Sequence, residues 1–490
     1  MLTLFKHDKW KMGGFLLLSC VIVLGSLYFY SYKDMTGAPY SEIEAYREQY
    51  PYKNITYTIT VEGDEEVLKL NQSTRSIVLT NGAQAFSLSQ QADYLQKVTD
   101  IRFANEPTER QLAAVFRAFP NAEVLFDSVS IDGTSYSCDC TSIDISSFVY
   151  GNMEETVQLL NALQDLETVE LMDENGHSDL VIDDVLLLQQ ACPDLFFHYT
   201  FDLFGQQVST DMETLEYFQA DIGGDAGLDV FRKIIHIMPN LTYLKLDTCG
   251  TTDEATAQLR EDLADQCKVV WRVFFGQNNA LTDTYKIWAT WNVDTKEVAC
   301  LKYCNEVKYL DLGHNSFMNL DFMSTMTDLE MAIVAIGNLY DISGIANCTK
   351  LEFLEIFSNR QLTDEDMQYL SGLTNMKYLN ISNTILMRDL SFTDNMPNLR
   401  KLWCTISRVP WAETQRVKEL HPDCEFVFLY DGDPTDYGWR YTRESGYTEK
   451  TPEYALVCAR FGYAEWDFSR DEKGYLREEI TYESLGLTPS

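Results

Sequence analysis

Side-chain catalysis needs a nucleophile, a base or a metal set that a fold can bring together. Residues able to supply one are sparse in this chain of 490, whose six histidines are His7, His177, His198, His236, His314 and His421. His198 and His236 sit in apolar strand or helix contexts, as core and edge residues do. No H-E-x-x-H, G-x-S-x-G or P-loop string occurs. With 75 acidic residues, no carboxylate pair stands out as a general acid and base. Asp431-Gly432-Asp433-Pro434-Thr435-Asp436 offers oxygen ligands for calcium, but the rest of an EF-hand loop is missing and a solvated turn fits better. Cys138-x-Cys140 and Cys300-x-x-x-Cys304 are bridge or metal candidates that lack the paired C-x-x-C and histidines of a zinc site. The chain thus offers no catalytic residue, no metal site and no cofactor site, and reads as non-enzymatic.

The residues that stand out lie in a repeat. Val307-x-x-Leu310-x-Leu312-x-x-Asn315 is followed by Leu329-x-x-Ala332-x-Val334-x-x-Gly337 and Leu351-x-x-Leu354-x-Ile356-x-x-Asn359. Met376-x-x-Leu379-x-Ile381-x-x-Thr384 and Leu399-x-x-Leu402-x-Cys404-x-x-Ser407 complete the series, at steps of 22, 22, 25 and 23 residues. The pattern resembles the leucine-rich repeat, L-x-x-L-x-L-x-x-N/C, which builds one short strand per coil with a return segment behind it. Asn338 to Ile345 resembles the return segment of bacterial internalin-type repeats. Upstream, Tyr50-Pro51, Phe119-Pro120, Cys192-Pro193 and Asp265-Gln266 each precede a long apolar strand, and those strands end at Gly63, Gly133, Gly205 and Gly276. Their steps of 70, 72 and 71 residues equal about three leucine-rich coils each. Cys192, Cys267, Cys348, Cys404 and Cys424 fall where the repeat calls for a small buried residue, as a reduced core thiol would.

Side chains alternate along a strand, so positions three, five and seven of L-x-x-L-x-L-x point away from the coil core. Position three reads Tyr309, Met331, Phe353, Tyr378 and Lys401; position five reads Asp311, Ile333, Glu355, Asn380 and Trp403; position seven includes Phe357. A solvated face should be mostly polar, and stacked aromatics there mark either an interaction site or a covered surface. We take Tyr309, Asp311, Ile333, Phe353, Glu355, Phe357, Tyr378, Asn380, Lys401 and Trp403 as the candidate ligand-binding set of the concave face. The competing reading is that cross-strand packing, or a C-terminal tail folded back, accounts for them.

The formal charge of −37 disfavours nucleic acid, whose phosphates need clustered Lys and Arg. From Met12 to Tyr32 no charge occurs, and Lys6, Lys9 and Lys11 precede the apolar run. This predicts an uncleaved transmembrane signal-anchor with a cytoplasmic N-terminus and an extracellular remainder. Tyr437-Gly438-Trp439-Arg440 and Glu453 to Phe461 resemble the G-W-R and R-Y-x-x-x-x-x-x-F tails of leucine-rich-repeat proteins of anaerobic Gram-positive bacteria, with Glu453 in place of the usual basic residue. The whole resembles a bacterial membrane-anchored leucine-rich-repeat surface protein with internalin-like repeats.

The expected organisation is a cytoplasmic stretch at 1–11, a transmembrane helix at 12–32 and a linker or N-terminal cap at 33–50. Irregular super-repeats of about 71–73 residues follow at 51–306, regular coils at 307–430 and a C-terminal cap or tail at 431–490. The expected fold class is an α/β solenoid: a leucine-rich-repeat horseshoe with a parallel concave sheet and helices on the convex side, preceded by one transmembrane helix. The function this implies is non-enzymatic recognition or adhesion at the cell surface, with a protein or glycan ligand and membrane attachment through residues 12–32. An envelope scaffold or membrane-complex subunit is the alternative, and an uncharacterised hydrolase a more distant one.

Overall fold

The computed structural model describes residues 32–64, 66–146, 153–290, 293–429, 440, 449–462 and 481–488. It divides into two compact units, Met1–Met212 with His236–Asn240, and Glu213–Ile235 with Leu241–Ser490.

The first unit alternates antiparallel hairpins with parallel three-strand sheets. Thr58–Val61 pairs antiparallel with Leu68–Asn71, and Ser76–Leu79, Asp100–Phe103 and Glu123–Leu125 then pair in parallel. The same order recurs in the hairpin Ser128–Ile131 with Thr134–Ser137 and the parallel strands Ser142–Asp144, Thr168–Glu170 and Phe196–His198. A third hairpin, Thr200–Leu203 with Gln206–Ser209, ends the unit's sheets. The long strand read from Cys192-Pro193 is therefore two short ones, the first completing a parallel sheet and the second opening a hairpin. Gly133 and Gly205, at φ 83° and 82°, follow Asp132 and Phe204 at 47° and 53°. Two consecutive left-handed residues form the tight turn whose twist suits a two-residue hairpin. Gly63 is not such a turn residue; its hairpin closes through the longer connection between Val61 and Leu68.

In the second unit, Thr214–Phe218, Tyr243–Asp247 and Lys268–Phe275 pair in parallel, and Lys268–Phe275 continues into a hairpin with Asn278–Leu281. A ladder of seven parallel strands follows: Lys286–Trp288, Tyr309–Asp311, Met331–Ile333, Phe353–Glu355, Tyr378–Asn380, Lys401–Trp403 and Glu425–Val427. Between strands the chain returns through short 3-10 turns such as Asp321–Thr325, Ser343–Asn347 and Ser391–Thr393, or through helices such as Trp411–Leu420. Leu310, Leu354, Leu379 and Leu402 are fully buried inside the coils. The asparagine position of the repeat joins successive turns. Asn315 Nδ2 donates to the carbonyls of Ala289 and Leu312 at 2.7 and 3.0 Å, and Asn359 Nδ2 donates to those of Val334 and Ile356 at 2.9 and 3.0 Å. Just past the strands, His314, Ile336, Ser358 and Asn383 adopt left-handed backbone at φ 62°, 56°, 64° and 61°. Their N–H groups donate to the next coil's Ala335, Phe357, Ser382 and Thr405 carbonyls, so the ladder extends beyond the strands. The periodic sequence therefore builds leucine-rich-repeat coils.

One expectation needs correction. No helix among the described residues is long and apolar enough to cross a membrane. The longest have 10 residues, as in Glu109–Ala118, which at 1.5 Å per residue reach about half of a ~30 Å hydrocarbon core. Among the described residues the fold class is accordingly a leucine-rich-repeat solenoid with no membrane-spanning helix, and the single-pass cell-membrane placement, with residues 12–32 as its anchor, is withdrawn. Residues 12–31 lie outside the described residues. Tyr32, taken as the helix's last residue, instead starts the strand Tyr32–Asp34, paired with Asn54–Thr56, so its main chain takes partners from another strand rather than from a helical turn.

Cys138, Cys140, Cys192, Cys249, Cys267, Cys300, Cys304, Cys348, Cys404 and Cys424 are free thiols. Cys192, Cys267, Cys348 and Cys404 are buried as the repeat requires, while Cys424 is half-buried. Burial pushes the thiols of Cys348 and Cys404 up to about 12. A thiol whose folded value lies above its unfolded value of about 8.5 contributes stability below that pH and loses it as pH rises toward the folded value. Stability should therefore fall between about pH 9 and pH 11, by up to about 1.4 kcal/mol per pH unit for each such thiol. Urea midpoints across that range should drop more steeply for the native sequence than for Cys348→Ala with Cys404→Ala. Parallel curves would contradict the assignment.

Candidate functional site

Parallel register aligns the outward side chains of the ladder into rows. One row runs Lys286, Tyr309, Met331, Phe353, Tyr378, Lys401, Glu425, and the next Trp288, Asp311, Ile333, Glu355, Asn380, Trp403, Val427. Adjacent strands lie about 4.8 Å apart, which brings neighbouring rings into contact. Tyr285 and Tyr309 meet edge to face at 6.0 Å, and the rings of Phe353 and Tyr378 lie 6.5 Å apart. Nine of the ten candidate residues fall in these two rows, and Phe357, just past its strand, packs against the same aromatic cluster.

That face is covered. Tyr309, Ile333, Phe353 and Trp403 keep only 4, 4, 3 and 2 % of their surface. Asp311, Glu355, Tyr378 and Asn380 are also buried, while Phe357 and Lys401 are half-buried. The cover is the C-terminal helix Pro452–Phe461, whose Val457 and Phe461 join the ladder aromatics in one apolar cluster, with Tyr454 and Tyr482 packed against it. Phe461 lies 6.2 Å from the Tyr309 ring, and Lys286 Nζ donates to the Phe461 carbonyl at 2.6 Å. This places a cation at the helix C-terminus, where the helix dipole favours it. The Arg460 guanidinium sits 5.1 Å from the Tyr309 ring centre.

The polar members of the face divide by role. Asp311 Oδ1 accepts the Gly313 N–H at 3.0 Å, and Asn380 Oδ1 accepts that of Ser382 at 3.1 Å. Asp144 and Glu170 do the same for Ser146 and Met172 in the first unit, so at these four residues the position closes the strand end. Glu355 differs. Its Oε1 accepts from Asn380 Nδ2 at 3.3 Å, and Oε2 faces the Arg440 guanidinium at 3.9 Å. Lys401 pairs with Glu425 at 3.0 Å and stands 5.2 Å from the Trp403 ring. Burial raises the Tyr378 hydroxyl above its ordinary value and lowers Lys286 below its own.

The remaining chemistry-bearing residues stay apart. His198 Nδ1 meets Glu170 Oε2 at 2.5 Å, and buried His421 Nε2 lies 3.0 Å from the Thr393 carbonyl. No group of three metal-ligating side chains occurs among the described residues. His7 and Asp431 to Asp436 lie outside the described residues.

The sequence reading did not include Tyr285, Lys286, Val457, Arg460 or Phe461 in the site. A signal was available for the tail: Tyr454, Val457 and Phe461 stand three and four residues apart, the spacing of one helical stripe. Tyr285-Lys286-Ile287-Trp288 likewise continues the ladder one coil earlier.

No protein-family model matches the chain, and no curated protein matches it. Among solved structures it is similar to an internalin of Listeria monocytogenes, at 15% identity and a TM-score of 0.26 over 70% of this chain and 71% of that one. It is similar to internalin C2 of the same organism at 17% identity and a TM-score of 0.24, over 44% of this chain and 80% of the other. A leucine-rich-repeat protein of Leptospira interrogans is similar at 14% identity and a TM-score of 0.26, over 73% of this chain and 94% of that one. Similarity this distant carries no argument about the present chain. The leucine-rich coils rest on its own ladder.

Proposed function

We propose that the protein is a non-catalytic, protein-binding module whose recognition face is the seven-strand ladder. The observation that carries this reading is that the face takes up a helix: a ring-lined surface that includes the buried acidic residues Asp311 and Glu355 holds Val457 and Phe461, with Arg440 facing Glu355 and Arg460 over the Tyr309 ring. Hydrogen-bonded strands hold Tyr309, Phe353, Tyr378 and Trp403 in place before any partner arrives, which reduces the entropy lost on binding. Tyr, Trp and Phe in such a setting are the usual anchors of protein interfaces. The tight packing of the tail also favours a second reading, a scaffold in which the helix is a permanent cap.

Site-directed cross-linking separates the two. A photoreactive phenylalanine at Phe357, on the half-buried margin of the face, should form an adduct with a protein partner in extracts of the producing cells. The same group at Tyr369, exposed on the return segment Gln368–Leu370, should give about tenfold less. Adducts at Tyr369 with none at Phe357 would leave the scaffold reading in place.

A further inference from the structure

We propose that Cys138 and Cys140 are a reversible dithiol–disulfide pair, a modification site that closes by exchange with a small disulfide of the glutathione class. The inference stands apart from the binding face of the ladder and does not depend on it.

Two cysteine pairs stand close in sequence, Cys138-x-Cys140 and Cys300-x-x-x-Cys304, and the fold separates them. Cys300 lies in the 3-10 helix Val298–Tyr303, and Cys304 follows at its end. A rise of about 2.0 Å per residue sets their Cα atoms about 8 Å apart along the axis, farther than the ~7 Å that a disulfide spans. Cys304 is also fully buried, out of reach of an oxidant in solution. Cys192, Cys249, Cys267, Cys348 and Cys404 are buried too. Cys424 is half-buried, as Cys300 is, but the two belong to different coils.

Cys138 and Cys140 are both half-buried, and they share one tight turn. The hairpin of Ser128–Ile131 with Thr134–Ser137 ends just before them. The Cys138 N–H extends that hairpin by donating to the Asp127 carbonyl at 3.1 Å, and the Cys140 N–H donates back to the Ser137 carbonyl at 3.0 Å. The second bond closes a β-turn over Ser137–Cys140. The Ser137 hydroxyl donates to Asp139 Oδ1 across the same turn. Beyond it, the Tyr136 hydroxyl accepts the Asp144 N–H at 3.2 Å, which ties the hairpin to the next strand, Ser142–Asp144. The turn is thus held from both sides.

That geometry suits a bridge. Residues two apart in an extended chain have Cα atoms about 7 Å apart. A turn shortens this distance, because it must bring the ends of a four-residue segment within about 7 Å. The pair then enters the window of about 4.4–6.8 Å in which bridged Cα atoms are found. No group of three metal-ligating side chains occurs among the described residues, so the chemistry left to the pair is thiol exchange. One thiolate attacks a sulfur of the small disulfide, forming a mixed disulfide and releasing one glutathione thiolate. The other cysteine, as its thiolate, attacks the protein-side sulfur, forms the Cys138–Cys140 bond and expels the second glutathione thiolate. The pair gives up two electrons and two protons, and the reagent is reduced to two thiols. Closing so short a loop removes little entropy from the unfolded chain, so the bridge is labile and switchable and not a structural staple.

The test uses the reduced full chain and excess glutathione disulfide, with alkylation to stop the reaction and mass analysis of the chymotryptic peptide 137–148. The peptide should appear two hydrogens lighter and unalkylated, and dithiothreitol should restore it. Cys140→Ser should stop at a glutathione adduct on Cys138, and Cys138→Ser at one on Cys140. In concentrated urea, where the turn is lost, the bridged share at equal time should fall about tenfold, because the closing step loses its held geometry. Three results would each overturn the proposal: both cysteines still alkylated in the native chain, two glutathiones on the peptide without a bridge, or as much bridge in urea as in water.

Discussion

Replacing Asn359 with alanine is expected to remove about 4 kcal/mol of stability, one of the two largest effects foreseen for this chain. Asn359 is fully buried. Its Nδ2 serves the Val334 and Ile356 carbonyls at 2.9 and 3.0 Å, and its Oδ1 takes the Leu339 N–H at 3.4 Å. Alanine leaves all three main-chain groups without that partner in a region water does not reach, at about 1–3 kcal/mol for each group left unsatisfied. Asn315→Ala should cost a similar amount, because Asn315 serves Ala289, Leu312 and Val293 in the same way. Thr384 occupies the equivalent place in a later coil with one such bond, to the Ile381 carbonyl at 2.6 Å, so Thr384→Val should cost only about 1 kcal/mol. Urea unfolding followed by far-ultraviolet circular dichroism reads the order directly. Equal losses at 359 and 384 would mean that the asparagines do not staple the coils.

Gly344→Ala is expected to be comparably damaging, at about 3 kcal/mol or more. Gly344 lies in the return turn Ser343–Asn347, and a Cβ there would stand 1.9 Å from the Leu320 carbonyl oxygen and 2.5 Å from its carbon. Those are main-chain atoms of the preceding coil, so no side-chain rotation relieves the overlap, and the two coils must separate. Gly372 provides the internal control. Nothing lies within 4 Å of its Cβ position, so Gly372→Ala should leave stability unchanged or raise it by up to about 1 kcal/mol through the unfolded chain. The melting temperature of Gly344→Ala should fall by several degrees relative to Gly372→Ala. Similar melting of the two variants would show that the return turns are not in the close contact described.

Both sites were legible in the sequence as repeat positions, although their physical roles were not. The ninth position of L-x-x-L-x-L-x-x-N announces a coil, but only the folded ladder shows that its amide bridges to the carbonyl of the previous coil. Alternation along strands also placed Tyr309, Phe353, Tyr378 and Trp403 on one face. Their exposure was misjudged because exposure is not a property of a strand. It depends on what lies above the strand, and here that is a helix whose terminal carbonyl meets a lysine 175 residues away in sequence. Likewise Asp311 and Asn380 look like ligand-facing groups until their bonds to Gly313 and Ser382 are seen.

The sequence by itself determined the coil: its length, its inward leucines, the place of its asparagines and four of its buried thiols, Cys192, Cys267, Cys348 and Cys404. These follow from the types and spacing of residues within one turn of the repeat, where local geometry dictates which side chains face inward. Only the tertiary structure decided what the outward face does in the resting chain. The apolar and charged groups of Pro452–Phe461 complement rows drawn from seven separate strands, and such complementarity between distant segments leaves no short-range pattern to read.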